Sequence, residues 1–319
     1  SRGGMRYSSS RVRALAHRQA LQARGVTLCA PYDHALVERT LVGKAVARVV
    51  AHALAPWADV IWLQKRPLHP AWLRRLQRAG KRVLFDLDDA IYLRGWPWVD
   101  EMIALADRVL CGSEEILAYC AARSARCHLL PTCVDAQSFY PRLRAEGEPV
   151  VIGWTGSHDT LPYLESLADV LRDLLARQGP SIALWVMCDR RPSLPGVPYR
   201  YQPWSLAAEP AFCRRFDIGL MPLFDDPWAR AKCAYKALLA MAVGAPAVVS
   251  PVGAKATVVR HGVDGFHATD AQAWHDALER LIADPALRAR QGAAGRQRVL
   301  QDYSYEVFVE RITALLKEW

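Results

Sequence analysis

The sequence predicts an α/β protein of two domains, each a parallel sheet covered by helices, with the two sheets facing each other across a cleft. Short apolar runs of strand length alternate with amphipathic stretches of helix length along the whole chain, which is typical of a parallel sheet crossed by helices. At 319 residues the chain is too long for one ordinary hydrophobic core, and it suits two domains of about 150 residues each.

The strands are predicted from short apolar runs, which are typical of strands buried on both faces of a sheet. The first half of the chain gives strands at Val26–Cys29, Val60–Leu63, Val83–Phe85, Arg108–Cys111 and His128–Leu130. The second half gives strands at Val150–Trp154, Ile182–Met187, Tyr199–Tyr201, Ile218–Met221 and Ala247–Ser250. Amphipathic helices are predicted between the strands, and Leu161–Arg177 is the clearest because its leucines recur at helical spacing.

The stretch Ala136–Pro149 is polar, contains two prolines and lacks periodicity, so it is predicted to join the two domains. The predicted domains are residues 1–140 and 141–303, and a helix at 304–319 is expected to pack back toward the first domain. Ligands of open α/β sheets bind at the carboxyl ends of the strands. We therefore expect the functional site at the cleft.

The net charge of +9 lies in the N-terminal part of the chain. Residues 1–100 hold 17 Lys and Arg against 7 Asp and Glu, which leaves the remainder close to neutral. This balance favours an acidic partner, such as a phosphorylated or lipid-linked acceptor or a membrane surface touched peripherally, and a solvated basic face is the alternative. Nucleic acid is disfavoured because aromatic residues do not alternate with the basic ones.

The eight cysteines stand singly, without a CxxC pair, so neither a zinc site nor a disulfide framework is expected. Cys29, Cys111 and Cys188 fall in predicted strands, where we expect buried free thiols. No apolar run approaches the roughly 20 residues needed to span a bilayer, and the first residues do not resemble a secretory signal. A cytoplasmic protein, with membrane association at most peripheral, is the expectation.

The turn in "VVIGWTGSHDTLPYL" is the first candidate binding site. Gly153, Thr155, Gly156 and Ser157 stand where a strand ends and a helix follows. Small residues let the backbone approach a ligand, and N–H groups at a helix start attract phosphate. The alternative is an ordinary strand-to-helix turn that is capped by Ser157 or Asp159.

A basic cluster in the segment from Asp225 to Gly253 is the second candidate. Arg230, Lys232 and Lys236 stand at the start of a predicted helix, where cations are unfavourable unless an anion lies between them. A diphosphate would supply that anion. The alternative is a set of solvated surface side chains.

Two further clusters stand at predicted strand ends. Asp86, Asp88 and Asp89 follow a strand, where carboxylates accept protons, bind sugar hydroxyls or hold a divalent metal, although plain turns share the pattern. Trp204 follows another strand and either stacks on a base or packs against its own domain.

Five segments resemble the retaining glycosyltransferases of family four, which have the GT-B fold of two Rossmann-like domains. The phrases "KALLAMAVGAPAVVSPVG" and "VRHGVDGFHA" resemble the C-terminal domain of that family. "LLPTCVDAQSFYP" resembles its Pro-Asn-Gly-Val-Asp segment, and "ADRVLCGSEEI" resembles the strand and Ser-Glu turn that precede it. "RYSSSRVRALAHRQALQARGV" resembles the first helix.

The resemblance implies a nucleoside-diphosphate sugar donor in the C-terminal domain, an acceptor at the N-terminal domain, retention of anomeric configuration, and neither a metal nor another cofactor. On this basis, together with the motifs above, catalytic roles are predicted for Asp86, Asp88 and Lys236. Donor contacts are predicted for Gly153, Thr155, Gly156, Ser157, Trp204, Arg230, Lys232, Lys236, Leu239 and Gly253.

One departure from the family pattern alters the expected donor recognition. The family carries two glutamates that contact the donor, and their positions hold Ala231 and Leu239 in this sequence. The side chain of neither residue accepts a hydrogen bond, so the sugar and the ribose are expected to be recognised differently. A sugar-nucleotide epimerase or phosphorylase and a catalytically silent nucleotide-sugar-binding subunit remain the alternatives.

Overall fold

The computed structural model describes residues 8–31, 41–145 and 147–319. The chain divides into two compact units. The first unit comprises Ser1–Cys133, Ala231–Cys233 and Phe308–Trp319, and the second comprises Val134–Arg230 and Ala234–Val307. No helix among the described residues combines the length and the apolar character that crossing a bilayer requires.

The first unit contains a four-stranded parallel sheet in the order β1-β2-β3-β4. Its strands are Val60–Gln64 (β1), Arg82–Leu87 (β2), Arg108–Cys111 (β3) and Cys127–Leu129 (β4). Its helices are Ser8–Arg13 (α1), Arg18–Gln22 (α2), Leu41–Leu54 (α3), Pro70–Arg78 (α4), Pro97–Leu105 (α5) and Glu114–Ala121 (α6). The centre of β2 is fully buried, as expected for a strand covered on both faces.

The second unit contains a six-stranded parallel sheet in the order β10-β9-β8-β5-β6-β7. Its strands are Val150–Thr155 (β5), Ile182–Cys188 (β6), Arg200–Pro203 (β7), Ile218–Met221 (β8), Ala247–Val249 (β9) and Gly265–His267 (β10). The order reverses next to β5, and ligands of open α/β sheets bind at such a reversal.

The helices of the second unit are Leu161–Glu165 (α7), Ala168–Gln178 (α8), Glu209–Cys213 (α9), Pro227–Arg230 (α10), Tyr235–Ala242 (α11), Lys255–Val258 (α12), Ala271–Ala283 (α13) and Pro285–Arg298 (α14). The terminal helix, α15, is Tyr305–Lys317. Asp270 and Asp284 cap α13 and α14 by accepting hydrogen bonds from backbone N–H groups of the first turn.

The predicted fold class, α/β with two parallel sheets, is confirmed. The predicted strand Val26–Cys29 is wrong, because this segment is not paired with any described strand. The Val26 N–H bonds to the Leu21 carbonyl and closes the end of α2 after Gly25, whose φ is +81°. Cys29 is accordingly exposed, whereas the thiols at 111 and 188 are buried as expected.

One helix and one strand also differ from the prediction. The predicted helix Leu161–Arg177 is two helices, α7 and α8, separated by a turn at residues 166–167. The strand β10 was not predicted, because a three-residue strand gives too short an apolar run to be recognised.

Candidate functional site

The turn after β5 places Gly156 against the side chain of Lys236, which lies on α11. A Cβ atom built on Gly156 would lie 2.7 Å from Lys236 Cε and 2.5 Å from the six-membered ring of Trp154. The Lys236 ammonium lies 5.5 Å from the centroid of the Trp154 ring, within the range of a cation–π contact. Two residues that are far apart in the sequence therefore meet at the carboxyl edge of the sheet, and only glycine leaves room for the lysine.

The backbone of this turn differs from the predicted phosphate cradle. The Gly156 N–H donates to the Met187 carbonyl at 3.0 Å, and the His158 N–H donates to the Asp189 carboxylate at 2.6 Å. The prediction of a free N–H group that attracts phosphate is therefore wrong at Gly156. Ser157 is exposed and its side chain does not cap the following turn, so the cap predicted for Ser157 under the alternative of an ordinary turn is wrong. The cation of Lys236 remains the feature that favours an anion.

A histidine lies between two carboxylates at the same edge. His158 Nδ1 lies 2.5 Å from Asp189 Oδ2, and its Nε2 lies 3.2 Å from Asp159. Burial alone would raise the pKa of Asp189, but the hydrogen bonds from His158 and Cys188 outweigh it and hold that pKa below its usual value. This pair is not predictable from the sequence, because Asp189 follows β6 and the pairing depends on tertiary structure.

Thr155 and Trp204 are joined by a buried glutamate that the sequence analysis also missed. The Thr155 hydroxyl donates to Glu209 Oε1 at 3.2 Å, and Trp204 Nε1 donates to the same oxygen at 3.0 Å. Glu209 is 5% exposed and begins α9. The signal in the sequence was the Glu-Pro pair that opens a short apolar run, which is typical of a helix start. The carboxylate fixes the half-buried Trp204 ring relative to the end of β5.

Gly153 and Leu239 lie in the interior of the second unit. A Cβ atom on Gly153 would lie 2.0 Å from the Phe216 ring, so this glycine makes room for an aromatic side chain. Leu239 is 1% exposed and packs in a hydrophobic cluster that also contains Phe216. Both residues lie in the hydrophobic core of the second unit. Their burial there does not support the donor contacts predicted for them.

Arg230 and Gly253 lie at the end of α10. Arg230 forms an exposed ion pair with Asp225, with Nε 2.7 Å from Oδ1. Gly253 has a φ of +55°, and a Cβ atom there would lie 1.9 Å from the Arg230 carbonyl. Lys255 is fully buried and donates to the Ala229 carbonyl at 2.7 Å. The lysine and the glycine hold the loop after β9 against α10, and the burial of Lys255 is not predictable from the sequence.

In the first unit, Asp86 is buried in a bidentate ion pair. Arg13 Nη2 lies 2.7 Å from Asp86 Oδ1, and neither side chain has exposed surface. The Arg13 guanidinium also donates to the Leu130 carbonyl at 2.5 Å, and Trp62 Nε1 donates to Asp86 Oδ2 at 3.3 Å. A carboxylate with this burial and these partners does not reach a substrate, which argues against the catalytic role predicted for Asp86.

Asp88 and Asp89 are both paired with Lys65. The Lys65 ammonium lies 2.7 Å from each carboxylate and donates to the Ser9 hydroxyl at 2.7 Å. Burial alone would lower the pKa of Lys65, but the two carboxylates outweigh it and raise that pKa above its usual value. Lys65 is held with a φ of +47°, which is rare for a residue with a side chain. Lys65, Asp88, Asp89 and Ser9 thus form one polar network within the first unit. The catalytic role predicted for Asp88 stays a prediction.

Ala231–Cys233 belong to the first unit and include the predicted donor residue Lys232, which is half-buried. Burial raises the pKa of the neighbouring Cys233 thiol to about 12, so this cysteine is not a nucleophile at neutral pH. Among the described ranges, no group of three or more His, Cys, Asp or Glu side chains is placed to hold a metal ion.

The second unit is similar to a known enzyme family. Residues 149–284 match the family model described as glycosyl transferases group 1. This stretch is similar to a glycosyltransferase domain. It contains Gly156, Trp204, Glu209 and Lys236, and thus the contacts described at the carboxyl edge of the sheet.

Similarity to individual proteins agrees with the family match. The chain is 38% identical over 89 residues to a D-inositol 3-phosphate glycosyltransferase of Pseudarthrobacter chlorophenolicus, covering 26% of this chain and 19% of that protein. It is 25% identical over 229 residues to the protein of the same name from Thermobifida fusca, covering 61% of this chain and 52% of that protein. The matches thus span only a fifth to a half of the length of these relatives.

The solved structure of Anabaena Alr3699/HepE in complex with UDP and glucose shares the fold. The TM-score is 0.65 at 15% identity, with 88% of this chain and 83% of that chain covered. At this identity the likeness shows the fold alone. That fold is GT-B, as the sequence predicts.

Proposed function

We propose that the protein is a glycosyltransferase that binds a nucleoside-diphosphate sugar through its second unit and transfers the sugar to an acceptor. The observation that carries the proposal is the Lys236 side chain lying across Gly156 at the carboxyl edge of the sheet, inside the stretch that matches the family model. Both the family resemblance and the UDP complex of a protein with the same fold support a nucleotide-sugar donor.

The chemistry explains why a cation at this position matters. As the bond between the sugar and the diphosphate breaks, negative charge grows on the departing diphosphate. An ammonium group that contacts the phosphate is therefore worth more in the transition state than in the ground state, and it accelerates the reaction. The Trp154 ring beneath Lys236 restricts the ammonium before the donor arrives, which reduces the entropy lost on binding.

The remaining parts of the proposal rest on the sequence. Retention of anomeric configuration and independence of metal follow from the family resemblance. The donor contact predicted for Lys232 rests on the cluster of basic residues in the sequence alone. The acceptor is proposed to be phosphorylated or lipid-linked, because the N-terminal part of the chain is basic.

A thermal-shift panel with UDP-, GDP-, ADP- and dTDP-sugars tests the donor. Binding raises the midpoint of unfolding by mass action, and the effect should be lost in Lys236→Ala. Lys317→Ala is the matched control, because Lys317 is an exposed lysine near the chain end. If no nucleotide sugar shifts the midpoint, or if both variants respond as the parent chain does, the proposed donor site is wrong.

Turnover separates this proposal from the two alternatives. Slow release of free sugar and nucleotide from the donor supports a transferase, whereas sugar interconversion without nucleotide release indicates an epimerase. Tight binding without turnover for any acceptor indicates a silent subunit. One observation favours the silent subunit as the second candidate: Ala231 and Leu239 are buried apolar residues where the family has donor-contacting glutamates.

A further inference from the structure

The helix α3 exposes its large apolar side chains to solvent. Val42 is 74% exposed, Val46 54% and Val49 68%. The short turn Ala55–Trp57 continues the helix, and Trp57 is 86% exposed. A monomeric protein rarely presents so many large apolar residues on one element unless that element contacts something.

An ordinary surface helix turns its large apolar side chains toward the protein, whereas α3 turns them toward solvent. Among the side chains of α3 that the structure describes, Ala47 is buried, at 2% exposure, and Gly43 and Ala51, one turn away on the same side, are half-buried. The small residues therefore face the first unit, and the valines face outward. At about 100° per residue, the exposed positions 42, 46, 49, 50 and 53 fall within roughly a third of the circumference and form one stripe. We call this set, with Trp57, the apolar stripe.

The surface next to the apolar stripe is basic. Residues 41–80 contain seven Lys and Arg against one acidic residue, Asp59, although one of the seven, Lys65, is already neutralised by Asp88 and Asp89. Three of the arginines, at 74, 75 and 78, are exposed on α4. The His52 ring on α3 stacks on Trp72 of α4 with centroids 6.0 Å apart, so the two helices are neighbours.

We propose that the apolar stripe and the α4 arginines together bind the surface of an anionic lipid bilayer. An amphipathic helix in the plane of the interface buries its apolar side chains among the headgroups, while basic residues contact the lipid phosphates. Tryptophan is enriched at that depth. At 14 residues α3 is about 21 Å long, shorter than the roughly 30 Å hydrocarbon core, so the helix would lie on the bilayer and not cross it.

The charge around the stripe favours lipid over a second copy of the chain. In a two-fold dimer the arginines of each copy would face the same basic surface, and like charges oppose association. Nucleic acid would use the arginines but would leave the valines in water. An anionic bilayer accommodates the charged and the apolar parts at the same time.

Flotation of the full chain with vesicles tests the proposal without reference to the sugar donor. One set of vesicles is phosphatidylcholine, and the other is an equal mixture of phosphatidylcholine and phosphatidylglycerol. We expect binding to the anionic vesicles at low salt, with little binding to the neutral ones. Replacing the three α4 arginines by glutamine should weaken binding by about fivefold each, or roughly 100-fold together.

A second variant tests the apolar stripe itself. Val46→Ser, Val49→Ser and Trp57→Ala together should also lower vesicle binding by roughly 100-fold. Leu143→Ser is the matched control, because Leu143 is 98% exposed and lies in the second unit. Nucleotide-sugar binding by the second unit should be unchanged in all variants, which separates failure of this proposal from failure of the proposed function.

Three results would overturn the proposal. The first is that the full chain does not float with anionic vesicles, and the second is that the stripe variant floats as well as the parent chain. The third is that sedimentation shows a dimer of the parent chain and a monomer of the stripe variant. The last result would assign the face to a second copy of the chain.

Discussion

Gly156→Ala is the substitution that best tests the proposed donor site. The added methyl would lie 2.5 Å from the Trp154 ring, 2.7 Å from Lys236 Cε and 2.7 Å from Thr160 Oγ1, and each of these distances is closer than packed atoms tolerate. Trp154 is 1% exposed and has no room to move. The half-buried lysine side chain is the more flexible of the two, so we expect it to be displaced from the ring.

The displacement should be visible in both stability and donor binding. Overpacking at a tight site costs about 1–3 kcal/mol of the free energy of unfolding. Loss of a hydrogen bond from an ammonium to a phosphate costs about 1.5–3 kcal/mol, which raises the Kd for the nucleotide sugar by roughly 10- to 150-fold. Urea unfolding measures the first effect and isothermal titration with the donor measures the second.

A matched glycine substitution controls for a general loss of stability. Gly80 has a φ of +79° with no atom within 4 Å of a built Cβ, so Gly80→Ala costs about 1–2 kcal/mol of backbone strain without touching the second unit. We expect this variant to be less stable and to bind the donor with an unchanged Kd. If Gly156→Ala binds the donor as tightly as Gly80→Ala does, Lys236 and Gly156 do not hold the diphosphate.

Two further predictions concern buried charged groups. Glu209→Ala leaves the Thr155 hydroxyl and the Trp204 indole without their shared acceptor, so we expect a loss of about 1–3 kcal/mol in the free energy of unfolding. A chemical-denaturation midpoint equal to that of the parent chain would show that these hydrogen bonds do not contribute to stability. Burial alone would raise the pKa of Asp88, but Lys65 outweighs it and lowers that pKa. Its ion pair therefore stabilises the fold above the unfolded pKa of about 3.9, and this contribution is lost as the pH falls through the lower folded value. Asp88→Asn should flatten the loss of stability below about pH 4, and an unchanged pH profile would contradict the assignment.

The periodic parts of the fold could be predicted from the sequence. Strands such as β8 and β5 are short apolar runs bounded by turns, and a parallel sheet buries both of their faces, so the pattern is complete within each segment. The segment at Val26–Cys29 shows the limit of this reasoning. An apolar run becomes a strand only when it has a partner, and here the Val26 N–H closes a helix end instead.

The candidate site was predicted in part, and the difference has a physical cause. Gly156 and Lys236 were recognised because glycine in a turn and lysine at a helix start are unusual in themselves. Glu209, Asp189 and Lys255 were missed because their roles depend on burial and on partners from other strands or helices. Similarly, the sequence showed a row of carboxylates after β2, but not the cations that neutralise them.

A crystal structure with a bound nucleoside diphosphate tests the central claim most directly. The nucleotide should be the one that gives the largest shift in the thermal panel. The account predicts diphosphate oxygens within roughly 3 Å of Lys236 Nζ, beside the Gly156 turn. A nucleotide bound elsewhere, with the Lys236 ammonium still over the Trp154 ring and no phosphate near it, would contradict the account.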